Sequence, residues 1–234
     1  MKISIILSLV LSFLIVAVQA NADENRELKT FSAKYTAYHD EDDVGQASLN
    51  LFKIAEDTYK VVYDSKVSKF FLSDKRHEES VFQVEGDKLI PQTYEYLRTG
   101  TGRNKSLSVS FDAERQKIFI DDKETYDWQG ELDNQLFRID LSTQLANKVT
   151  DLRYDFINYR GEKRFYDLQV LDTETLQLPY GQIEATKVRI NRETNKRLTY
   201  AWFAPSLGYT LVRLQQFKEG KEQGDIQLSE FYTN

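Results

Sequence analysis

The sequence predicts a mainly β protein. One strongly curved antiparallel sheet forms an open or partly closed barrel, with a single central helix near residues 131–147 packed on its concave face. Three observations carry this reading. Apolar and polar residues alternate with a period of two along nearly the whole chain after residue 30. All 10 glycines fall between the apolar runs or at their ends. Only the segment 131–147 changes to a helical period.

The first segment reads as an address. Lys2 precedes an apolar run from Ile3 to Val16, which ends in Ala17-Val18-Gln19-Ala20-Asn21-Ala22. A basic start, an apolar stretch and small residues at the end describe a secretory signal peptide over 1–20, cut after Ala20 or Ala22. The run falls short of the roughly 20 apolar residues of a stable span. The chain contains no cysteine, so no lipobox follows, and the protein is expected to be periplasmic without being a lipoprotein. Residues 21–30 are expected to form a flexible N-terminus and 31–234 a single β-rich domain, with no stable membrane span once the signal is removed.

Strands are expected over 31–38, 46–54, 59–68, 80–85, 89–97, 105–111, 117–120 and 124–128, then over 152–159, 163–171, 182–191, 197–203, 209–217 and 225–232. Leu107, Val109 and Phe111 alternate with Ser106, Ser108 and Ser110, and Tyr94 and Tyr96 with Thr93 and Glu95. Such alternation turns one face to a core and the other to water. The runs favour Val, Ile, Thr, Tyr and Phe, the strand-forming residues. Gly86-Asp87, Arg160-Gly161 and Pro179-Tyr180-Gly181 mark turns between them. Successive hairpins predict an up-and-down order.

In 131–147, Leu132, Leu136, Ile139, Thr143 and Ala146 recur at spacings of four and three, flanked by Phe137, Leu141 and Leu145. Glu131 and Asp133 are expected in the first turn and Lys148 just past the last, as the helix dipole favours. A lone helix with so wide an apolar face must bury it, and the concave side of the sheet is the natural place. There it either plugs the barrel or acts as a lid over a cavity.

Composition excludes several classes. Phe and Tyr each occur 14 times, too aromatic a chain for disorder. The absence of cysteine removes disulfides, zinc–thiolate sites and thiol nucleophiles. A formal net charge of −6 argues against nucleic acid, which needs an excess of Lys and Arg. The two histidines, His39 and His77, lie beside charged residues in no catalytic motif and are expected on surface loops. Asp40-Glu41-Asp42-Asp43-Val44-Gly45 resembles a calcium loop, but Val44 and Leu51 stand where oxygen ligands are needed. Gly100-Thr101-Gly102-Arg103-Asn104-Lys105 lacks the glycine before its lysine and the helix that a phosphate loop requires. No catalytic residue, metal site or cofactor is implied. The candidate ligand-binding residues are Leu136 and Phe137 on the helix, Leu107, Val109 and Phe111 on a strand, and Arg98 and Arg103 for an anionic group.

A succession of segments carries a family resemblance. Asp133-Asn134-Gln135-Leu136-Phe137-Arg138-Ile139-Asp140-Leu141 comes first. Leu178-Pro179-Tyr180-Gly181-Gln182-Ile183-Glu184-Ala185 follows, then Tyr200-Ala201-Trp202-Phe203-Ala204-Pro205 before Tyr209-Thr210-Leu211-Val212-Arg213-Leu214. Together they resemble the exported bacterial family called domain of unknown function 3108, with Ser206 where the family more usually has an acidic residue. The resemblance implies a secreted, periplasmic β-rich protein and carries no catalytic residue. The expected function is a non-enzymatic cell-envelope protein that binds a hydrophobic or amphiphilic ligand, or a protein partner, on the curved sheet. An envelope scaffold without a small-molecule site and a hydrolase of envelope carbohydrate are the alternatives.

Overall fold

The computed structural model describes residues 27–69, 71–191 and 197–233. The expected signal peptide and its cleavage sites, within 1–26, lie outside the described residues.

The first half is a meander of β1 (Phe31–His39), β2 (Asp42–Lys53), β3 (Thr58–Lys69), β4 (Leu72–Glu85), β5 (Lys88–Gly100), β6 (Lys105–Asp112), β7 (Lys117–Ile120) and β8 (Lys123–Asp127). A two-residue strand β9 (Leu132–Asp133) and the helix α1 (Leu136–Ala146) follow. The second meander is β10 (Leu152–Ile157), β11 (Lys163–Leu178), β12 (Gly181–Asn191), β13 (Arg197–Ala204), β14 (Thr210–Lys218) and β15 (Lys221–Thr233). All strands belong to one 15-stranded sheet. The two meanders join where β1 pairs with β15, Phe31 opposite Thr233 and Tyr38 opposite Asp225. Every pair is antiparallel except β9 with β10.

The sheet is strongly curved but not closed. Bulges at Ala37/Tyr38, Val81/Phe82 and Trp202/Phe203 each add a residue to one strand and bend it. The edge strands β8 and β9 are neighbours in the chain, and side chains bridge the seam beside them. Tyr126 Oη donates to the Gly161 carbonyl at 3.2 Å, Tyr96 and Tyr159 pack with ring centroids 5.4 Å apart, and Lys163 Nζ donates to the Asp127 carbonyl at 2.9 Å. Gly161 sits at φ +73°, and a Cβ there would come within 3.0 Å of Ile120 and 3.2 Å of Leu107. Glycine is needed for both the backbone and the space.

Three apolar clusters make up the core. The first occupies the end bearing the β2–β3 and β4–β5 turns and includes Leu51, Tyr59, Phe82, Leu89, Leu136 and Ile139. The second packs Phe137, Leu141 and Leu145 of α1 against Phe156, Val188 and Phe203. The third lies under the seam and holds Tyr94, Tyr96, Leu107, Val109, Phe111, Ile118 and Ile157. The apolar face of α1 is thus buried on the concave side of the sheet.

Three boundaries differ from expectation by five residues or more, for physical reasons. One is the end of β11, which runs to Leu178 rather than 171 because its pairing with β12 continues to Leu178 opposite Gly181. The helix begins at Leu136, five residues later than the pattern implies. Leu132 and Asp133 pair with Phe156 and Ile157 as a strand, and Asp133 then turns its carboxylate onto the next backbone N–H groups. Asp133 and Glu131 therefore precede the helix, and its first turn carries no acidic residue. Strand β4 begins at Leu72 rather than near residue 80, because backbone pairing to β3 and β5 continues through Asp74, Lys75, Arg76 and His77. His77 is consequently a strand residue, its Nδ1 2.8 Å from Asp64 Oδ1, and His39 ends β1, so neither lies in a surface loop.

Candidate functional site

The inward face of β4 reads, from one rim to the other, Val84, Phe82, Ser80, Glu78, Arg76 and Asp74. Its apolar end joins the first core cluster, and its polar end does not. The neighbouring strands follow the same gradient, with Tyr59 and Val61 of β3 buried and Tyr63, Ser65 and Val67 only half-buried. The fold therefore fills one half of the barrel and leaves the other open.

In the open half lies a cavity of about 720 Å³. One wall is polar and comes from β3–β5, with Tyr63, Asp74, Arg76, Glu78 and Arg98. The opposite wall is apolar and comes from α1 and β12–β14, with Phe137, Leu141, Ile190, Ala201, Phe203 and Leu211. His39, Leu72 and Gln223 border it on the side of the β1–β2, β3–β4 and β14–β15 turns. A depression of about 670 Å³ on the outer face, between residues such as Ser32, Asn50, Lys66 and Lys75, lacks such an apolar wall.

Buried hydrogen bonds set the floor of the cavity. Tyr94 Oη and Asn134 Nδ2 each donate to Glu78 Oε2 at 2.6 Å. Ser80 Oγ donates to Asp133 Oδ1 at 2.7 Å, which also accepts the N–H groups of Gln135 and Leu136 at 2.8 and 2.9 Å. Burial pushes the Asp133 carboxyl up to about 6 against these hydrogen bonds, and the charge of Glu78 adds to the rise. Burial and the Glu78 carboxylate also push the Tyr94 hydroxyl far above its ordinary range. The polar wall behaves oppositely. Burial opposes ionisation of Asp74, but hydrogen bonds from Arg76 at 2.7 Å and Arg98 at 2.5 Å outweigh it and hold the carboxyl below its usual range.

Of the residues singled out in the sequence, Phe137 and Arg98 line the cavity. The structure places the others elsewhere. Leu136 is fully buried in the first cluster. Leu107, Val109 and Phe111 belong to the packed core under the seam, because the face of β6 they share packs against Ile157 of β10 and the β10–β11 turn. Arg103 is exposed in the turn between β5 and β6. Arg76, Glu78 and Arg138 were not singled out. The phase of β4 contains the signal, since Asp74, Arg76 and Glu78 share parity with Phe82 and Val84. Arg138 shares a helix face with Leu141, three residues after it. Among the described residues, no three His, Asp or Glu side chains converge to hold a metal ion. No helix among them is long and apolar enough to cross a membrane.

These features define a β-barrel-like protein with an open sheet, an internal helix and a two-faced cavity. The chain belongs to the family described as protein of unknown function DUF3108, whose model matches residues 30–221. Among solved structures it is similar to a β-barrel-like protein of domain of unknown function DUF1849 from Brucella abortus. That likeness covers 89% of this chain and 99% of the other, at 8% identity and a TM-score of 0.60. It is similar more loosely to a protein with a YmcC-like fold from Bacteroides fragilis, at 13% identity, a TM-score of 0.35, and coverage of 88% of this chain and 96% of the other. No curated protein matches the chain.

Proposed function

We propose that this protein is a non-enzymatic component of the cell envelope, exported to the periplasm, that holds a hydrophobic or amphiphilic molecule between α1 and the concave face of its sheet. The cavity is the observation that carries this reading. Small barrels ordinarily fill their interiors with side chains. Here about 720 Å³ stays open beside an apolar wall, a volume suited to a drug-sized ligand. The buried carboxylates Asp133 and Glu78 are engaged in fastening α1 to the sheet, which supports binding over hydrolysis. Export rests on the N-terminal pattern, from Lys2 through the apolar run to Ala20 and Ala22.

The test is to purify the protein from native periplasm, extract it with organic solvent and identify what it carried by mass spectrometry. The expected result is an apolar or amphiphilic molecule in near-stoichiometric amount, on a chain whose N-terminus is Asn21 or Asp23. A protein that carries nothing and takes up no fluorescent fatty acid would overturn the ligand reading. Intact Met1 in the membrane fraction would overturn export.

One observation favours a protein partner instead. Phe71, in the turn between β3 and β4, is 99% exposed, and Leu72 beside it is exposed and borders the cavity. Apolar residues at a loop tip fit contact with another envelope protein. Under that reading, F71S would abolish a partner's co-purification and leave the cavity's contents unchanged.

A further inference from the structure

We infer that the ligand of this cavity is an amphiphile with an anionic head, a carboxylate or phosphate, and that Arg138, Arg76 and Arg98 hold that head while the tail lies on the apolar wall. The inference rests on the cavity being a binding site at all, and adds the charge of the ligand and the groups that recognise it.

The charge balance of the cavity is the reverse of the chain's. Five cationic side chains and three carboxylates line it, in a protein of formal net charge −6. Lys69 pairs with Asp40 at 3.6 Å, whereas Arg76 and Arg98 share one carboxylate and stay partly open to solvent, where an anion can reach them.

Arg76 and Arg98 stand directly opposite each other on adjacent strands. Like charges in that register repel. Asp74 lies between them and accepts from the Nε of both, at 2.7 and 2.5 Å. One carboxylate thus serves two guanidinium groups and leaves one positive charge over. Each bond uses only Nε, so the terminal Nη groups remain available to an anion.

Arg138 is the third member. It projects from α1 into the same cavity. Its contacts are a hydrogen bond from Nη1 to Gln135 Oε1 at 3.3 Å and the ring of Phe137, 5.7 Å from its guanidinium carbon. It takes part in no ion pair among the described residues. Glu78, the carboxylate on the facing strand β4, already accepts hydrogen bonds from Tyr94 and Asn134.

An anion placed here would gain charge-assisted hydrogen bonds from a planar donor fork. Its attached chain would meet Phe137 and Leu141, next to Arg138 on the same helix. A free anion would leave that apolar wall bare, so the geometry points to an amphiphile.

The test uses the purified protein, a fluorescent long-chain fatty acid and the methyl ester of the same acid. The acid should bind about tenfold or more tightly than the ester, the difference expected for a charge-assisted hydrogen bond. R138Q should remove most of that preference by weakening the acid alone, and R138K should restore part of it. Equal binding of acid and ester by the wild type would overturn the inference and leave the cavity reading intact, with no variant required. Failure of both probes to bind would overturn the two together. Displacement of the acid by inorganic phosphate or acetate at matched concentration would make a free anion the ligand and overturn the amphiphile.

Discussion

Asp133 and Ser80, 53 residues apart, are joined by a 2.7 Å hydrogen bond that fastens the start of α1 to the middle of β4. The accepting oxygen also caps the first backbone N–H groups of the helix entry, while the second oxygen of the same carboxylate is buried without a partner. One side chain therefore holds the helix against the sheet and bears the cost of burial.

That cost has a pH dependence. The Asp133 carboxyl titrates near 6 in the folded protein, against an ordinary value of 3.8. Between those values the folded chain holds a proton that the unfolded chain has released, so this group's contribution falls as pH rises through the window. Asp133→Asn keeps an oxygen for Ser80 and the backbone but does not titrate. Relative to wild type, the variant should gain on the order of 2–3 kcal/mol between pH 4 and pH 7. Urea unfolding of both proteins at the two pH values measures it, and a constant difference between them would refute the assignment.

Tyr94→Phe removes one of the two donors on Glu78 Oε2. The ring still packs under the seam, but a buried carboxylate loses a partner. Stability should drop by roughly 1–3 kcal/mol, read as a lower urea midpoint at unchanged slope. A shift within error would mean that Glu78 is satisfied without Tyr94.

Gly161→Ala combines a left-handed φ with a Cβ pressed against Ile120 and Leu107. Destabilisation of about 1–3 kcal/mol is expected. Because the strain falls where the β10–β11 turn closes the seam, amide exchange should quicken first in β6 and β7. Uniform quickening across the sheet would show that the seam does not open on its own.

Strand β6 offers a paired contrast. Val109 is fully buried under the seam, and lysine there would bury an unpaired charge, so Val109→Lys should abolish cooperative folding. Ser108 faces outward and donates to Glu95. Ser108→Lys should change stability by no more than about 0.5 kcal/mol. Loss in Ser108→Lys with Val109→Lys tolerated would place β6 in the opposite register.

Much of the fold is legible locally. The phase of Leu107, Val109 and Phe111 is set by which side of a pleated strand each residue occupies, and Gly86 and Gly161 mark turns because they tolerate positive φ. The helix was legible from the spacing of Leu136, Ile139 and their neighbours. Its start was not, because the pairing of Leu132 and Asp133 with Phe156 and Ile157 competes with helix formation and wins. The site was legible only in fragments. Phe137 and Arg98 stood out singly, while Arg76 and Glu78 read as ordinary surface charge, since a polar residue in phase with a core looks the same whether its face meets water or a cavity.

The sequence by itself determined the strands, their faces, the turns and the one helix, since each depends on residues within a few positions of one another. Tertiary structure decided that β1 pairs with β15 across the length of the chain, and that side chains rather than backbone bridge the seam. It also decided that the core fills only half of the barrel. Those outcomes depend on volume and on contacts between distant residues. The side chains of the first cluster and of α1 fill one end, and at the other Asp74, Arg76, Glu78 and Arg98 face inward around space that they do not occupy.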